Sequence, residues 1–122
     1  MRISVLIAVI SAAVSSFSGP ASAGVKDGNK LYEHCSSSES SPTYYQDAAA
    51  CTLYIVGVYD GIELATSVYD KENFYCFPEK VIVKQITEIV ANYLQKHPEK
   101  RHLPASALVV IALKDAFPCG TK

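Results

Sequence analysis

The sequence carries no excess of basic residues, no strand-like alternation longer than a few residues, no internal repeat and no cysteine–histidine spacing of a zinc site. Each absence removes a class of protein. With 11 Lys and Arg against 12 Asp and Glu, the net charge is −1, whereas a nucleic-acid partner requires a basic surface. Without alternation of period two there is no sheet to build on. The histidines, His34, His97 and His102, stand at no ligand spacing, and cysteines held in disulfides offer no thiolate. Neither a metal nor any other cofactor is expected. Beyond the N-terminal leader no run reads as long and apolar enough to cross a bilayer, so no membrane contact is expected once that leader is removed.

What is present begins with the leader. Arg2 is the single charge before an apolar run, Ile3–Val14, and small residues follow, ending in Ala21-Ser22-Ala23. This is the order of a secretory signal, with cleavage expected after Ala23. Residues 1–23 are read as a signal peptide and 24–122 as one domain. Without Arg2 the balance is 10 basic to 12 acidic residues, a net charge of −2 with His neutral. A domain of this size buries only about 60–65% of its unfolded surface, so covalent staples help. The 4 cysteines all follow the leader, which in an exported chain means two disulfides.

Pro42–Tyr69 reads as a long central helix. Tyr44, Ala48, Cys51, Ile55, Val58, Ile62, Ala65 and Tyr69 recur at steps of four and three, which keeps them on one face. Leu53, Val56 and Leu64 lie on the far side and imply neighbours on more than one flank. Gly57 and Gly61 border the apolar stripe, where a helix-interior glycine costs roughly 1 kcal/mol against alanine, so a packing role is expected of both. Ser41 as cap and Pro42 at the first helical position mark the start. A short first helix, Val25–Cys35, precedes it, with Asp27 as cap, and Ser36–Ser41 is a polar connector. Glu79–Lys96 reads as a third helix with Ile82, Ile86, Ile89, Val90 and Tyr93 inward, ended by His97-Pro98. After a polar corner, Pro98–Leu103, a fourth helix spans Ala105–Phe117. The fold class is all-α: a small bundle with a short first helix, a long central helix and a C-terminal helical hairpin, stapled by two disulfides.

Antiparallel packing favours one of the three possible cysteine pairings. If the third and fourth helices form a hairpin, Cys76 before one and Cys119 after the other share an end. Cys51 lies roughly 14 Å into the central helix at 1.5 Å per residue, within reach of Cys35 only if the first two helices overlap. Cys76–Cys119 and Cys35–Cys51 are therefore expected, each contributing about 2–4 kcal/mol.

No catalytic constellation stands out. The paired cysteines leave no thiol, the serines sit in the connector or the leader, and Asp60 with Glu63 reads as a solvated pair of helix carboxylates rather than an acid and a base. The chain is not read as an enzyme. Asp70–Phe77 differs: Asp70, Lys71, Glu72 and Asn73 flank the aromatics Phe74, Tyr75 and Phe77, and Cys76 pins the segment. Aromatic residues are enriched at interfaces, and a tethered loop loses little entropy on binding. Asp70, Lys71, Glu72, Asn73, Phe74 and Tyr75 are the candidate partner contacts, with the corner His97–His102 next.

An ordered set of short pieces runs through the chain: Gly28-Asn29-Lys30-Leu31-Tyr32 with Cys35, Cys51 with Tyr54-Ile55-Val56-Gly57-Val58-Tyr59-Asp60, Cys76-Phe77-Pro78, Gln85, Tyr93-Leu94, His97-Pro98-Glu99, Arg101-His102, and Ala105 to Ala116-Phe117-Pro118-Cys119. In this set the sequence resembles the Rap/Tai family of immunity proteins associated with type VI secretion. The resemblance implies a small helical periplasmic protein, often a homodimer, that binds and blocks a secreted peptidoglycan amidase effector and so protects the producing cell. The matched residues are mostly scaffold, and no contact residue is carried over by motif. The alternative class is a periplasmic acid-stress chaperone, or another non-enzymatic binding protein on the same fold.

Overall fold

A computed structural model describes residue 25 and residues 27–120, so the leader and its cleavage site lie outside the described residues. The chain forms α1 (Gly28–Cys35), α2 (Tyr44–Tyr69), α3 (Val83–Lys96) and α4 (Ala105–Ala116), with a single 3-10 turn, Pro98–Lys100, between the last two. Both disulfides join the expected partners, Cys35 to Cys51 and Cys76 to Cys119. The all-α stapled bundle is the observed architecture.

The first three helices start later than their patterns suggest, each for a local reason, whereas the fourth starts at Ala105 as expected. Asp27 caps α1 as expected, its carboxylate accepting from Lys30 N at 3.0 Å. The helix nevertheless begins at Gly28, not Val25, because its first free donors serve the corner before α4: Gly28 N–H donates to Leu103 O and Asn29 N–H to Arg101 O. That approach is close. A β-carbon on Gly28 would collide with Leu108 Cδ1 and lie 2.9 Å from the Arg101 backbone. Ser41 and Pro42 are not the cap and first residue of α2. They form a preceding turn in which Tyr44 N–H donates to Ser41 O and Thr43 N–H to Ser41 Oγ, local bonds that compete with helix. The third helix starts at Val83 rather than Glu79, and Ile82, expected inward, is 61% exposed on extended backbone. Cys76 N–H is committed to Phe117 O, and Phe77 and Val81 must first be laid against the core. The fourth helix ends one residue early, with Phe117 as its cap.

The core is made by Leu31 of α1, Cys51 and Ile55 of α2, Ile86, Val90 and Leu94 of α3, and Leu108, Val109, Ala112 and Leu113 of α4. Full burial of each large aliphatic side chain contributes about 1.5–3 kcal/mol before entropy is subtracted. Helix α2 packs on all three other helices, but only Cys51, Ile55 and Thr66 of its 26 residues are buried. Val58 and Ile62 are half-buried, whereas Ala65 and Tyr69 of the predicted inner stripe are exposed, because the helix overshoots the bundle. Leu53 and Leu64 on the far side have no cover, at 69% and 65% exposure. One expectation is reversed here. By length and composition α2 is apolar enough to cross a membrane, with an 18-residue window of mean hydropathy 1.3. The reason is that both its core face and its outer face are apolar; its inner face is nonetheless covalently tied into the bundle through Cys51.

The predicted polar corner is a bracket. Arg101 stacks its guanidinium over Tyr32 of α1, 3.4 Å from the ring centroid, and its Nε donates to Leu94 O at the end of α3 at 2.7 Å. One side chain thus binds α1, α3 and the turn into α4. The serine connector is also held. Asp47, in the first turn of α2, accepts from His34 Nδ1 at 2.8 Å, from Thr43 Oγ1 at 2.8 Å and from Ser37 Oγ at 3.0 Å.

The bond from His34, followed by those from Thr43 and Ser37, holds the Asp47 carboxyl below the usual carboxylate range. A carboxyl depressed by folding stabilises the fold fully above its unfolded value of about 3.9, and this stability is lost as pH falls through the folded value. The expected outcome is that Asp47→Asn lowers the urea midpoint at pH 7 and that its difference from wild type shrinks progressively below about pH 4. A difference that stays constant down to pH 2 would show that the clasp does not act through charge.

Candidate functional site

Asp70 closes α2 in a left-handed conformation, φ 49°, with its N–H donating to Thr66 O. This position is usually glycine or asparagine, and it turns the chain sharply off the helix. Lys71 N–H donates to the same carbonyl. Five residues later the chain is fixed again: Cys76 is bonded to Cys119, and its N–H donates to Phe117 O at 2.9 Å. Between these anchors Lys71, Glu72, Asn73 and Phe74 are all exposed. Phe74, at 53% exposure, is the single large apolar side chain on this projection.

Tyr75 corrects the expectation of an adjacent pair of exposed aromatics. It is buried to 3% exposure, in an aromatic group where its ring lies 4.9 Å from Phe77 and 6.3 Å from Tyr59. Phe77 in turn meets the Phe117 ring edge-on at 4.8 Å. The chain bends at Phe74 and Tyr75, which leaves Phe74 outward and turns Tyr75 into the bundle. Its hydroxyl is buried with no hydrogen-bond partner among the described residues. Burial, reinforced by Glu63, Tyr59 and Asp60, pushes its pKa up to about 12. Tyr59 is raised for the same first reason, then by Glu63 and Asp60. Tyr75 is therefore the wall that supports the loop, and Phe74 is the side chain the loop presents.

Phe74 stands between two apolar depressions. One, of about 550 Å³, is lined by Ala65, Thr66, Tyr69, Lys71, Glu72 and Phe74. The other, of about 460 Å³, runs between α2 and α4 over Gly57, Val58, Gly61, Ile62, Ser106, Ala107 and Val110. Both predicted packing glycines line this groove, but α4 does not fill the space: a β-carbon on Gly57 or Gly61 would meet nothing within 4 Å. Among the described residues nothing fills the space beside these glycines. With Leu53, Leu64 and Val68, exposed at 69%, 65% and 64%, they form one stripe at helical spacing along the outer face of α2.

The corner His97–His102 is occupied by scaffold contacts. Arg101 serves the bracket, Lys100 Nζ donates to Tyr93 Oη at 3.0 Å, and His97 Nδ1 lies 3.1 Å from Glu99 Oε1. The Tyr93 bond is the first cause of a raised Lys100 pKa, and Glu99 is lowered first by its own backbone N–H and then by His97. What sequence reasoning missed is a narrower cavity, of about 170 Å³, between the middle of α2 and the segment 77–86. Its one signal was the run Val81-Ile82-Val83, too apolar for a helix edge.

A family model described as Rap1a immunity proteins matches residues 27–119. No curated protein matches the chain.

Two substitutions separate scaffold from surface at this site. Tyr75→Phe removes a buried hydroxyl that has no partner and should leave stability unchanged or raise it by about 1 kcal/mol, whereas Tyr75→Ala should lower it by about 3–5 kcal/mol. Gly57→Ala places a methyl in open space and should stabilise the isolated protein by up to about 1 kcal/mol. Urea denaturation measures all three, and a destabilised Tyr75→Phe would mean that the hydroxyl is satisfied.

Proposed function

The chain belongs to the Rap1a immunity protein family, and from that membership we propose that it is a periplasmic inhibitor of a peptidoglycan amidase delivered by type VI secretion. Membership implies an immunity protein that binds a secreted effector, which supports reading it as an inhibitor and not as an enzyme. Two disulfides and the leader expected over residues 1–23 favour export, and an enzyme that cuts peptidoglycan has to be met where peptidoglycan is. The observation that carries the mechanism is the projection Lys71–Phe74, anchored at Asp70 on one side and at Tyr75 and Cys76 on the other. A cleft is blocked best by a projection whose shape is set before binding, because little conformational entropy is then lost. Phe74 is the apolar anchor, Lys71, Glu72 and Asn73 are its polar rim, and Asp70 shapes the turn rather than touching the partner.

The small-residue groove between α2 and α4 supports a homodimer in this reading. Gly57, Gly61, Ser106 and Ala107 present no side chain large enough to hold a second helix away. One edge of the groove is formed by Phe74 itself, so a second copy would also buttress the projection.

Phe74→Ala should keep its circular dichroism and weaken binding and inhibition of the cognate amidase by roughly 30- to 1000-fold, the usual cost of about 2–4 kcal/mol for truncating a buried interfacial aromatic. Lys71→Ala and Glu72→Ala should act mainly on association rate and salt dependence. Full protection of cells by folded Phe74→Ala would move the contact elsewhere. For the dimer, light scattering at micromolar concentration should give twice the chain mass for wild type and a monomer for Gly61→Leu. A wild-type monomer, at or below 13.2 kDa, would end that part of the proposal.

A further inference from the structure

The cavity between α2 and the start of α3 differs from the depressions around Phe74 in size, rigidity and charge. We propose that it is a second docking site, built to take a protein segment that inserts one aliphatic side chain beside a lysine or arginine. Its walls are Val56 and Tyr59 from α2, Phe77 and Val81 from the segment before α3, and Val83 and Ile86 from α3, with Asp60 at the rim. A volume of about 170 Å³ is single-side-chain size, since an apolar cavity of roughly 150 Å³ holds a benzene. The walls are fixed. Ile86 is 6% exposed, the Phe77 ring lies 5.4 Å from Tyr59 and 4.8 Å from Phe117, and the neighbouring Cys76 is bonded to Cys119. An entering side chain therefore meets a preformed hole and loses little in ordering it.

Charge selects the occupant. Helix α2 holds no Lys, Arg or His in all its 26 residues. Its Asp60 is exposed at the cavity rim, Glu63 follows one turn on, and among the described residues neither forms an ion pair. On the facing wall Lys84 is engaged by Glu88 at 3.5 Å, and Lys80 sits beside Glu79. Ile82 and Val83, exposed at 61% and 47%, extend apolar surface outward from the hole. A hole lined by aliphatic and aromatic groups, with unpaired carboxylates on one lip, is complementary to an apolar anchor next to a base. It is a poor match for anionic lipid, whose headgroups the carboxylates would repel.

The site lies on the opposite flank of α2 from the groove of Gly57 and Gly61, so it is separable from the dimer and from the loop. The experiment follows amide chemical shifts of isotope-labelled protein during titration with acetyl-GSKLKSG-amide, and in parallel with acetyl-GSELESG-amide. The expected result is a saturable shift confined to residues around Val56, Asp60, Val81 and Ile86, with affinity about fivefold lower for the glutamate peptide and about fivefold lower for Asp60→Lys with the lysine peptide. Phe74→Ala should titrate as wild type, which separates this site from the loop. Val83→Trp, which occludes the hole from an exposed position, should abolish the shifts while leaving circular dichroism unchanged. Absence of saturable shifts, equal response to both peptides, shifts mapping elsewhere, or the same shifts produced by phosphatidylcholine vesicles would each overturn the proposal.

Discussion

The structure depends on a mismatch between the length of α2 and the size of the core it serves. A helix of 26 residues spans about 39 Å at 1.5 Å per residue, more than three short partners can cover. Its inner face is held firmly where Cys51 and Ile55 enter the core, and Thr66 is the last buried position. Much of the surface beyond that face is apolar or acidic and left open, including Leu53, Asp60, Glu63, Leu64 and Val68. A chain this small cannot build a second layer over it, so the uncovered face is available for partners, and contiguous exposed apolar surface is the usual mark of such a site. Every candidate contact described here touches α2 or the loop that leaves it.

The same mismatch explains the staples. Cys35–Cys51 fastens the N-terminal part of α2 to α1, where the polar clasp of His34, Ser37, Thr43 and Asp47 already joins the connector to the helix. Cys76–Cys119 fastens the returning chain to the end of α4. Between the overshooting end of α2 and this second staple the chain has five exposed residues, Asp70–Phe74, in which to turn. Their projection is a consequence of geometry. Phe74 points outward because Tyr75, next to it, fills the aromatic wall with Tyr59, Phe77 and Phe117. That wall also forms one side of the cavity between α2 and α3, so the staple that shapes the loop stiffens the second site.

Arg101 illustrates a different economy. Its guanidinium covers Tyr32 and its Nε closes the carbonyl of Leu94, so one long side chain satisfies a helix end and supplies packing between helices. Arginine does this where lysine would not, because its planar group can stack and donate in the same plane. The close approach at Gly28 sits against the same residue. The corner of the helical hairpin is here a joint for three helices rather than a binding loop.

The sequence by itself determined the helices, their order and the disulfide pairing. Periodicity of three and four, proline stops and the positions of cysteines at helix ends are local facts, and antiparallel packing converts them into contacts. Cys35–Cys51 and Cys76–Cys119 followed from that logic alone. It did not determine the starts of the first three helices, because Gly28, Ser41 and Cys76 spend backbone donors and acceptors on partners distant in space or on local turns that periodicity does not see. Nor could it divide the aromatics of the loop. Phe74 and Tyr75 are equivalent in pattern, and only the position of Tyr59, Phe77 and Phe117 decides that one is wall and the other surface. The helical pattern suggests a packing role for Gly57 and Gly61, but whether α4 fills their groove depends on the angle at which two helices cross, and α4 leaves it open. The cavity over Val56 and Ile86 was invisible for the same reason: a hole is made by the gap between elements, and no residue encodes a gap.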